Sequence, residues 1–330
     1  MDRRNILMLG LGSLSAATMG WRPARAQGAY PQRPIRLIVP RSAGGVLDVI
    51  GRHWAEWATR QFGQGVAVEN QGGGGGITGT AAAAHAAADG YTLLLGSTSD
   101  LVLNPVLSSA SLYDPVKDFT PVAIIAISVA AIIVHPSVPA QNLKELAAYA
   151  KANPGKLSYG SAGAGTMANL CGELFKTLAG TPDIVHIPYK GSAPGLTDLA
   201  SGHIPMMTPN VGGALLDFHR TGKVRILAVA AETRLRAAPD IPTATEAGLP
   251  GMVAGNFNGL FAPAGLAAPI IDQLASATRM LMADATFDQL LVASGFEPTS
   301  DSGPEQARRL VTDEVARWAP IMRATNFKME

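Results

Sequence analysis

The residues of this chain best suited to chemistry are glycines. Gly72 to Gly76 form an unbroken run, preceded by Val66-Ala67-Val68-Glu69-Asn70-Gln71 and followed by Ile77-Thr78-Gly79-Thr80 and the helix formers Ala81 to Ala84. A glycine loop that opens a helix leaves backbone N–H groups without intrahelical partners, with the positive end of the helix dipole behind them. That geometry binds anions. Arg41-Ser42-Ala43-Gly44-Gly45 and Ser161-Ala162-Gly163-Ala164-Gly165-Thr166 are further small-residue loops ahead of helical patterns. Ser97, Ser161 and Thr166 carry hydroxyls able to donate to an oxyanion or to cap a helix, or both. Arg41 has two readings, a bidentate clamp on a carboxylate or a solvated rim residue. Asp48 falls in the first turn of a helix, where the dipole stabilises an acid, and is read as structural.

Other chemistries lack their residues. A phosphate-cradling loop needs a lysine after its last glycine, and Ile77-Thr78 stands there instead. A dinucleotide fingerprint is satisfied only because any spacing exists within a glycine run. The six histidines (His53, His85, His135, His186, His203, His219) are scattered, without metal-ligand spacing; His186 is read as a structural histidine at a strand end. No G-x-S-x-G elbow occurs, so Ser-His-Asp chemistry lacks its usual scaffold. Cys171 is the only cysteine, which excludes an internal disulfide and reads as a buried small hydrophobe. Neither a cofactor nor a metal is expected.

The elements that would position these loops alternate. Strands are expected at Ile35 to Val39, Val66 to Glu69 and Tyr91 to Leu95, with helices from about Val46 to Phe62 (Trp54 and Trp57 on its apolar side) and from about Ile77 to Ala88. This β-α-β-α-β order predicts a mainly parallel sheet with helices on both faces. Val122 to Val134 is one long apolar run that exceeds a usual strand, so it is expected to bend or to cross between lobes. The alternation then repeats, with strands at Leu157 to Tyr159, Asp183 to Ile187, Ile204 to Thr208 and Val224 to Ala230. Helices are expected at Leu143 to Ala152, Met167 to Leu178, Ile270 to Ala283 and Pro304 to Ala319. Ligands in open α/β sheets sit beyond the carboxyl ends of the strands, so three helix N-termini converging there would make a cleft for carboxylates or phosphates.

The start of the chain reads as an address. Arg3-Arg4, an apolar stretch from Ile6 to Gly20, and Ala24-Arg25-Ala26 form a basic region, a hydrophobic region and an A-x-A cleavage site; the paired arginines hint at twin-arginine export. The segment holds four arginines and one aspartate, a net +3 against a whole-chain +1, so the remainder carries −2. That balance argues against a nucleic-acid binder, which would show a basic footprint. With 47% hydrophobic and 15% charged residues over 330 positions, the chain is globular and long enough for two domains.

Across almost the whole exported part, the sequence resembles the periplasmic solute-binding proteins of tripartite tricarboxylate transporters, the Bordetella uptake gene family. Tyr30-Pro31 through Ile35-Arg36-Leu37-Ile38-Val39-Pro40 to Gly44-Gly45-Val46-Leu47-Asp48 is similar to the family's opening motif. Val68-Glu69-Asn70 with the glycine run, Asp89-Gly90-Tyr91-Thr92-Leu93, Tyr113-Asp114-Pro115, Ser161 to Thr166, His186-Ile187-Pro188-Tyr189-Lys190-Gly191 and Pro242-Thr243 to Gly251 match further motifs in order. The resemblance implies a type II periplasmic binding protein fold, with two α/β lobes joined by two crossing strands. Residues 27–130 and 253–330 would form one lobe and residues 131–252 the other. It implies capture of a small carboxylate (a dicarboxylate, tricarboxylate or aromatic acid), delivery to membrane permease subunits, a periplasmic location and a monomer.

The contacts it implies come from Ser42, Ala43, Gly44 and Gly45, from Gly75, Gly76 and Ile77, from Ser97 and Thr98, and from Ser161, Gly163, Ala164, Gly165 and Thr166. Arg41, Tyr189, Asn210 and Phe257 complete the expected set. Several positions depart from the family pattern. Arg41-Ser42 replaces Phe-Ala and Ala43 a proline; Gln71-Gly72 replaces Arg-Pro. Asn169 stands where histidine is common, Phe257 where tryptophan is, and Asn210 near a common aspartate. Losing that acid and gaining Arg41 would make the cleft less negative, favouring a carboxylate over an amino acid. The five glycines are also expected to make their loop more flexible than the family version.

Overall fold

The computed structural model describes residues 30–107, 112–299 and 302–324. The expected export segment lies outside the described residues. The first half of the alternation is β1 (Ile35–Val39), α1 (Val46–Phe62), β2 (Val66–Asn70), a 3-10 turn (Gly74–Gly76), α2 (Ile77–Ala84), β3 (Thr92–Ser97), a π-helical turn (Ser99–Leu103) and α3 (Asn104–Leu107). The long apolar run becomes two strands, β4 (Phe119–Val129) and β5 (Ala131–Val134). The second half is α4 (Leu143–Ala152), β6 (Ser158–Ser161), α5 (Met167–Ala179), β7 (Val185–Pro188), α6 (Ser192–Ala200), β8 (Met206–Met207), α7 (Gly213–Arg220) and β9 (Arg225–Val229). The chain ends with β10 (Gly255–Pro263), α8 (Ala268–Met282), α9 (Ala285–Ala293), β11 (Glu297–Pro298) and α10 (Pro304–Ala324).

Two sheets result, ordered β11-β4-β10-β3-β1-β2 and β7-β6-β8-β5-β9. Each is mixed rather than mainly parallel. β1 is parallel to β2 and β3, but β10 runs antiparallel to β3 and β4. In the second sheet β6 is parallel to β7 and β8, and β5 antiparallel to β8 and β9. The cause is connectivity. A chain that leaves the first sheet along β4 returns along β10 in the opposite sense, so the strands at the crossing cannot be parallel.

The crossings meet at three alanines. Ala130 donates to the Ala254 carbonyl (3.2 Å), Ala230 to Ala130 (2.8 Å) and Ala254 to Ala230 (2.8 Å). All three are buried, and only small side chains permit such close approach of three backbones. Beneath the first sheet, the wholly buried Trp54 fixes α1 to α8 by donating its Nε1–H to Thr278 Oγ1 at 3.0 Å. α10 packs back onto β4 and the π-helical turn, so the C-terminal helix belongs to the first lobe's core.

Four short helices were not expected from the sequence: α3, α6, α7 and α9. The last has a legible start, since Asp284 accepts from the Phe287 N–H at 2.9 Å as its N-cap. Conversely, α2 ends at Ala84 instead of running to Ala88.

Candidate ligand-binding cleft

The glycine run opens α2 through four successive left-handed residues: Gly73 (φ +130°), Gly74 (+53°), Gly75 (+64°) and Gly76 (+101°). A Cβ in that region meets the neighbouring carbonyl oxygen, so the run answers a conformational demand. It is not slack: Asn104 Nδ2 donates to the Gly75 carbonyl (3.0 Å) and Thr80 Oγ1 to that of Gly76 (2.9 Å). At Gly76 a Cβ would collide with Arg41 Nη1 and Asp100 Oδ1. At Gly79 it would lie 2.5 Å from the Gln71 carbonyl oxygen, which explains the glycine that continues the run.

Arg41 is neither a free clamp nor a rim residue. Its Nη2 lies 2.8 Å from Asp100 Oδ1 in an ion pair whose acid is wholly buried and whose guanidinium side chain is 27% exposed. Its Nη1 donates to the Pro40 carbonyl (2.8 Å). Asp100 Oδ2 accepts from the Ser97 N–H (3.0 Å) and the Ser97 hydroxyl (2.6 Å). Burial is the largest influence on the Asp100 carboxyl and pushes it above the usual range, against the pull of Arg41 and Ser97. Within this chain the Arg41 charge is matched from beneath by an acid two residues beyond the expected Ser97-Thr98 pair.

A second carboxylate fixes the loop ahead of α1. Asp48 Oδ2 accepts from the Gly44 N–H (2.8 Å) and from Arg52 Nε (2.9 Å), while its Oδ1 accepts from Asn70 Nδ2 (2.9 Å). Burial works against its charge, but Arg52, the Gly44 N–H and the Asn70 amide outweigh it and hold the carboxyl below the usual range. Asp48 is thus the structural acid the sequence suggested. It ties Gly44, in the loop ahead of α1, to Asn70 at the end of β2.

The loop ahead of α5 is built from neutral groups. Thr166 caps the helix by accepting from the Asn169 N–H (3.3 Å) and donates to the Gly163 carbonyl (2.7 Å). Asn169 returns the contact, its Oδ1 accepting from the Gly165 N–H (3.2 Å), and its Nδ2 donates to the Tyr159 hydroxyl (2.7 Å). Ser161 Oγ exchanges contacts with Gly163 and lies 2.7 Å from His186 Nε2. His186 stacks on Tyr159 with centroids 4.8 Å apart. Cys171, within α5, is wholly buried, and burial pushes its thiol up to about 12, consistent with an inert core residue.

The two lobes touch where these loops face each other. Ser99 Oγ, at the start of the π-helical turn, accepts from the Met167 N–H at the mouth of α5 (3.3 Å). The position of a Cβ at Gly75 would be 4.0 Å from the Ala164 carbonyl oxygen. Ser99 is itself held from the crossing strand, its N–H donating to Asn256 Oδ1 (3.3 Å), whose Nδ2 donates to Ser128 Oγ (3.3 Å). π-helical turns are rare and recur at functional sites; this one turns both Ser99 and Asp100 inward, and the sequence reading passed over both. Its signal was the buried polar pair inside an otherwise apolar segment, Ser99-Asp100-Leu101-Val102-Leu103.

The remaining expected residues divide. Thr98 Oγ1 accepts from the Phe257 N–H (2.9 Å), and Phe257 is buried against Phe261, so both reach the crossing but serve packing there. Tyr189 donates its hydroxyl to Asp198 Oδ2 (2.8 Å), within the second lobe. Asn210 bridges to Ala130 at the crossing. The opening turns of α1, α2 and α5 lie at this junction, and several of the N–H groups there are accepted within the protein: Gly44 by Asp48, Met167 by Ser99 and Asn169 by Thr166.

Two α/β lobes joined by two crossing strands, with helix N-termini at their junction, define a periplasmic binding protein fold. The family model described as "Tripartite tricarboxylate transporter family receptor" matches residues 50–327, and the chain belongs to that family. It is 34% identical to Protein BugT of Bordetella pertussis over 324 residues, 98% of each chain. Among solved structures, the periplasmic binding protein BugD superposes with a TM-score of 0.83 at 33% identity, covering 91% of this chain and 100% of that one. An R. palustris protein with adipate superposes at 0.84 (32% identity; 91% and 99% covered). MatC from Rhodopseudomonas palustris with bound malate superposes at 0.81 (31%; 88% and 99%). Family and fold are those of solute-binding receptors, and no described helix is long and apolar enough to cross a membrane.

Proposed function

We propose that the chain is an exported periplasmic receptor. It closes on a small carboxylate (a dicarboxylate, tricarboxylate or aromatic acid) and delivers it to membrane permease subunits as a monomer. The observation that carries this reading is the convergence of helix N-termini from both lobes on one junction, with the two nearby arginines, Arg41 and Arg52, each matched by an acid. An anion there meets aligned N–H groups and dipoles and needs no lone cation. The adipate and malate of the two superposed relatives support the ligand class. Ser42, Ala43 and Gly45 would supply backbone N–H contacts; Gly44, Gly76, Ile77, Gly165 and Thr166, whose N–H groups are used within the protein, would shape the turns around the ligand, and Arg41 would act on it only through its ion pair.

A secreted hydrolase is the reading from another class, and the Ser161–His186 contact is its one foothold. Ser161 is wholly buried, however, and its hydroxyl also contacts the Gly163 backbone, so it has no line of attack on a substrate. Isothermal titration with adipate, malate, citrate and benzoate tests the proposal. At least one acid should bind with micromolar or better affinity and be recovered unchanged. No binding across the panel, or turnover of a bound acid, would refute it.

A further inference from the structure

The lobes touch on both flanks of the crossing, and the two contacts are unequal. In the first sheet β11 lies outside β4, on the edge away from β3, β1 and β2, whose ends carry the cleft loops. In the second sheet β9 is the edge strand away from β6, which leads into the loop ahead of α5. The segment after β9 therefore meets α9 and β11 on the flank opposite the cleft. There the Arg236 N–H donates to Glu297 Oε1 (2.8 Å), and its guanidinium grips Asp288 of α9 twice, Nη1 to Oδ1 (3.0 Å) and Nη2 to Oδ2 (2.8 Å). Backbone meets backbone beside them, since a Cβ at Gly295 would lie 3.1 Å from the Gly212 Cα and N. The Arg236 segment is itself braced. Arg234 binds Glu246 (2.9 Å) and the Pro239 carbonyl (2.9 Å), while Leu235 and Ala238 pair and are buried. On the cleft flank the counterpart is one neutral bond, from the Met167 N–H to Ser99 Oγ at 3.3 Å.

We infer that Arg236, Asp288 and Glu297 form a counter-latch, a contact behind the crossing that sets the angle at which the lobes rest and opposes closure on the cleft side. Hinge motion is rotation about a few backbone residues, and here the crossing strands are the fulcrum. Attraction on one side of a fulcrum works against attraction on the other. The rear contact is fully engaged: its bonds have the length usual for charge-assisted pairs, and its backbones already touch. The cleft contact stands at the long end of a hydrogen bond. Further closure must therefore stretch the bonds of Arg236. The Arg236 and Asp288 side chains are 54% and 31% exposed, so the pair is modest in strength and open to screening by salt. It biases the lobe angle without fixing it, and apparent affinity scales with the population of the binding-competent arrangement. The consequence for affinity rests on the carboxylate reading above, whereas the consequence for lobe angle does not.

The test compares the wild-type chain with Arg236→Ala, Asp288→Ala, the double variant and Arg236→Lys, which keeps the charge and loses the two-pronged grip. Small-angle scattering without added acid reads the lobe angle, and calorimetric titration with adipate and malate reads affinity. Each alanine variant should be more compact than the wild type and should bind the better acid about three- to tenfold more tightly. Arg236→Lys should fall between them. The double variant should gain no more than either single one, because both remove the same contact, and the gain should shrink as salt is raised. A radius of gyration that is unchanged or larger in the alanine variants overturns the inference. So does an affinity that stays the same or weakens in a variant that has become compact, or a double variant in which the two gains add. If neither acid binds any form, the carboxylate reading falls, and the scattering alone decides the counter-latch.

Discussion

The two rims of the cleft reach one result with different materials. On the first lobe, the loops ahead of α1 and α2 are fixed by charge, through Arg41 on Asp100 and Asp48 between Gly44, Arg52 and Asn70. On the second lobe, the loop ahead of α5 is fixed by two hydroxyls and an amide, with Asn169 at the centre. In each case the side chains address the protein and leave the opening turn of a helix to face the junction. The lesson is that polar side chains near this cleft are scaffolding, and that a charged rim needs its counter-charge buried behind it to remain neutral towards a ligand.

Substitutions on the charged rim should have the larger effects. Gly76→Val combines a disallowed backbone region with displacement of the ion pair and should destabilise the chain by roughly 4 kcal/mol or more, read as a large fall in the urea midpoint. Within the pair the two partners are unequal. Arg41→Ala leaves a wholly buried carboxylate uncompensated and should cost about 3–5 kcal/mol. Asp100→Asn keeps an acceptor for Ser97 and leaves an arginine that can rehydrate, so it should cost roughly 1–2 kcal/mol. Equal losses in urea unfolding would show that the burial asymmetry does not matter.

On the neutral rim, Asn169→Ala removes partners from the Gly165 N–H and the Tyr159 hydroxyl together and should cost about 1–3 kcal/mol. A loss exceeding that of Arg41→Ala would invert the ranking of the rims. Ser99→Ala should be the mildest. It removes one contact made only when the lobes meet, worth about 1 kcal/mol, so it should weaken carboxylate binding by about fivefold with little change in melting temperature. Scattering should show the unliganded variant more open than the wild type.

Acidity separates the two buried acids of the charged rim. The folded-state pKa of Asp48 is lowered, so its stabilisation is present above the unfolded carboxylate value of about 3.9 and is lost as pH falls through the folded value. Asp100 is raised and has the opposite slope, its contribution growing less favourable as pH rises through its folded value. Melting curves from pH 6 to pH 3 should therefore show Asp48→Asn losing less stability than the wild type over that interval. A parallel decline would assign the acid sensitivity to other groups.

Much of this was legible in the chain. The alternation gave the two α/β lobes, the long run from Val122 gave the crossing near Ala130, and the small-residue loops gave the helix mouths. What stayed hidden was non-local. Nothing near Arg41 announces a partner fifty-nine residues away in Asp100, and a glycine run says that left-handed backbone is permitted without saying that Gly73 to Gly76 all adopt it. The mixed sheet was missed for a related reason, since strand direction at a crossing depends on where the chain returns. Asn210 was marked only by its departure from the family's acid; its bridge to Ala130 emerges only when β5 and the segment after β8 are placed side by side.

The central claim is that main-chain N–H groups of both lobes hold the carboxylate. An amide-resolved NMR titration of the isotopically labelled chain with malate and adipate tests it most directly. The account predicts saturable shifts at Gly44 and Gly45, at Ile77 to Gly79 and at Met167 to Asn169, with the Arg41 side-chain signal little changed. Shifts confined to one lobe, or dominated by the Arg41 guanidinium while those amides stay still, would contradict it.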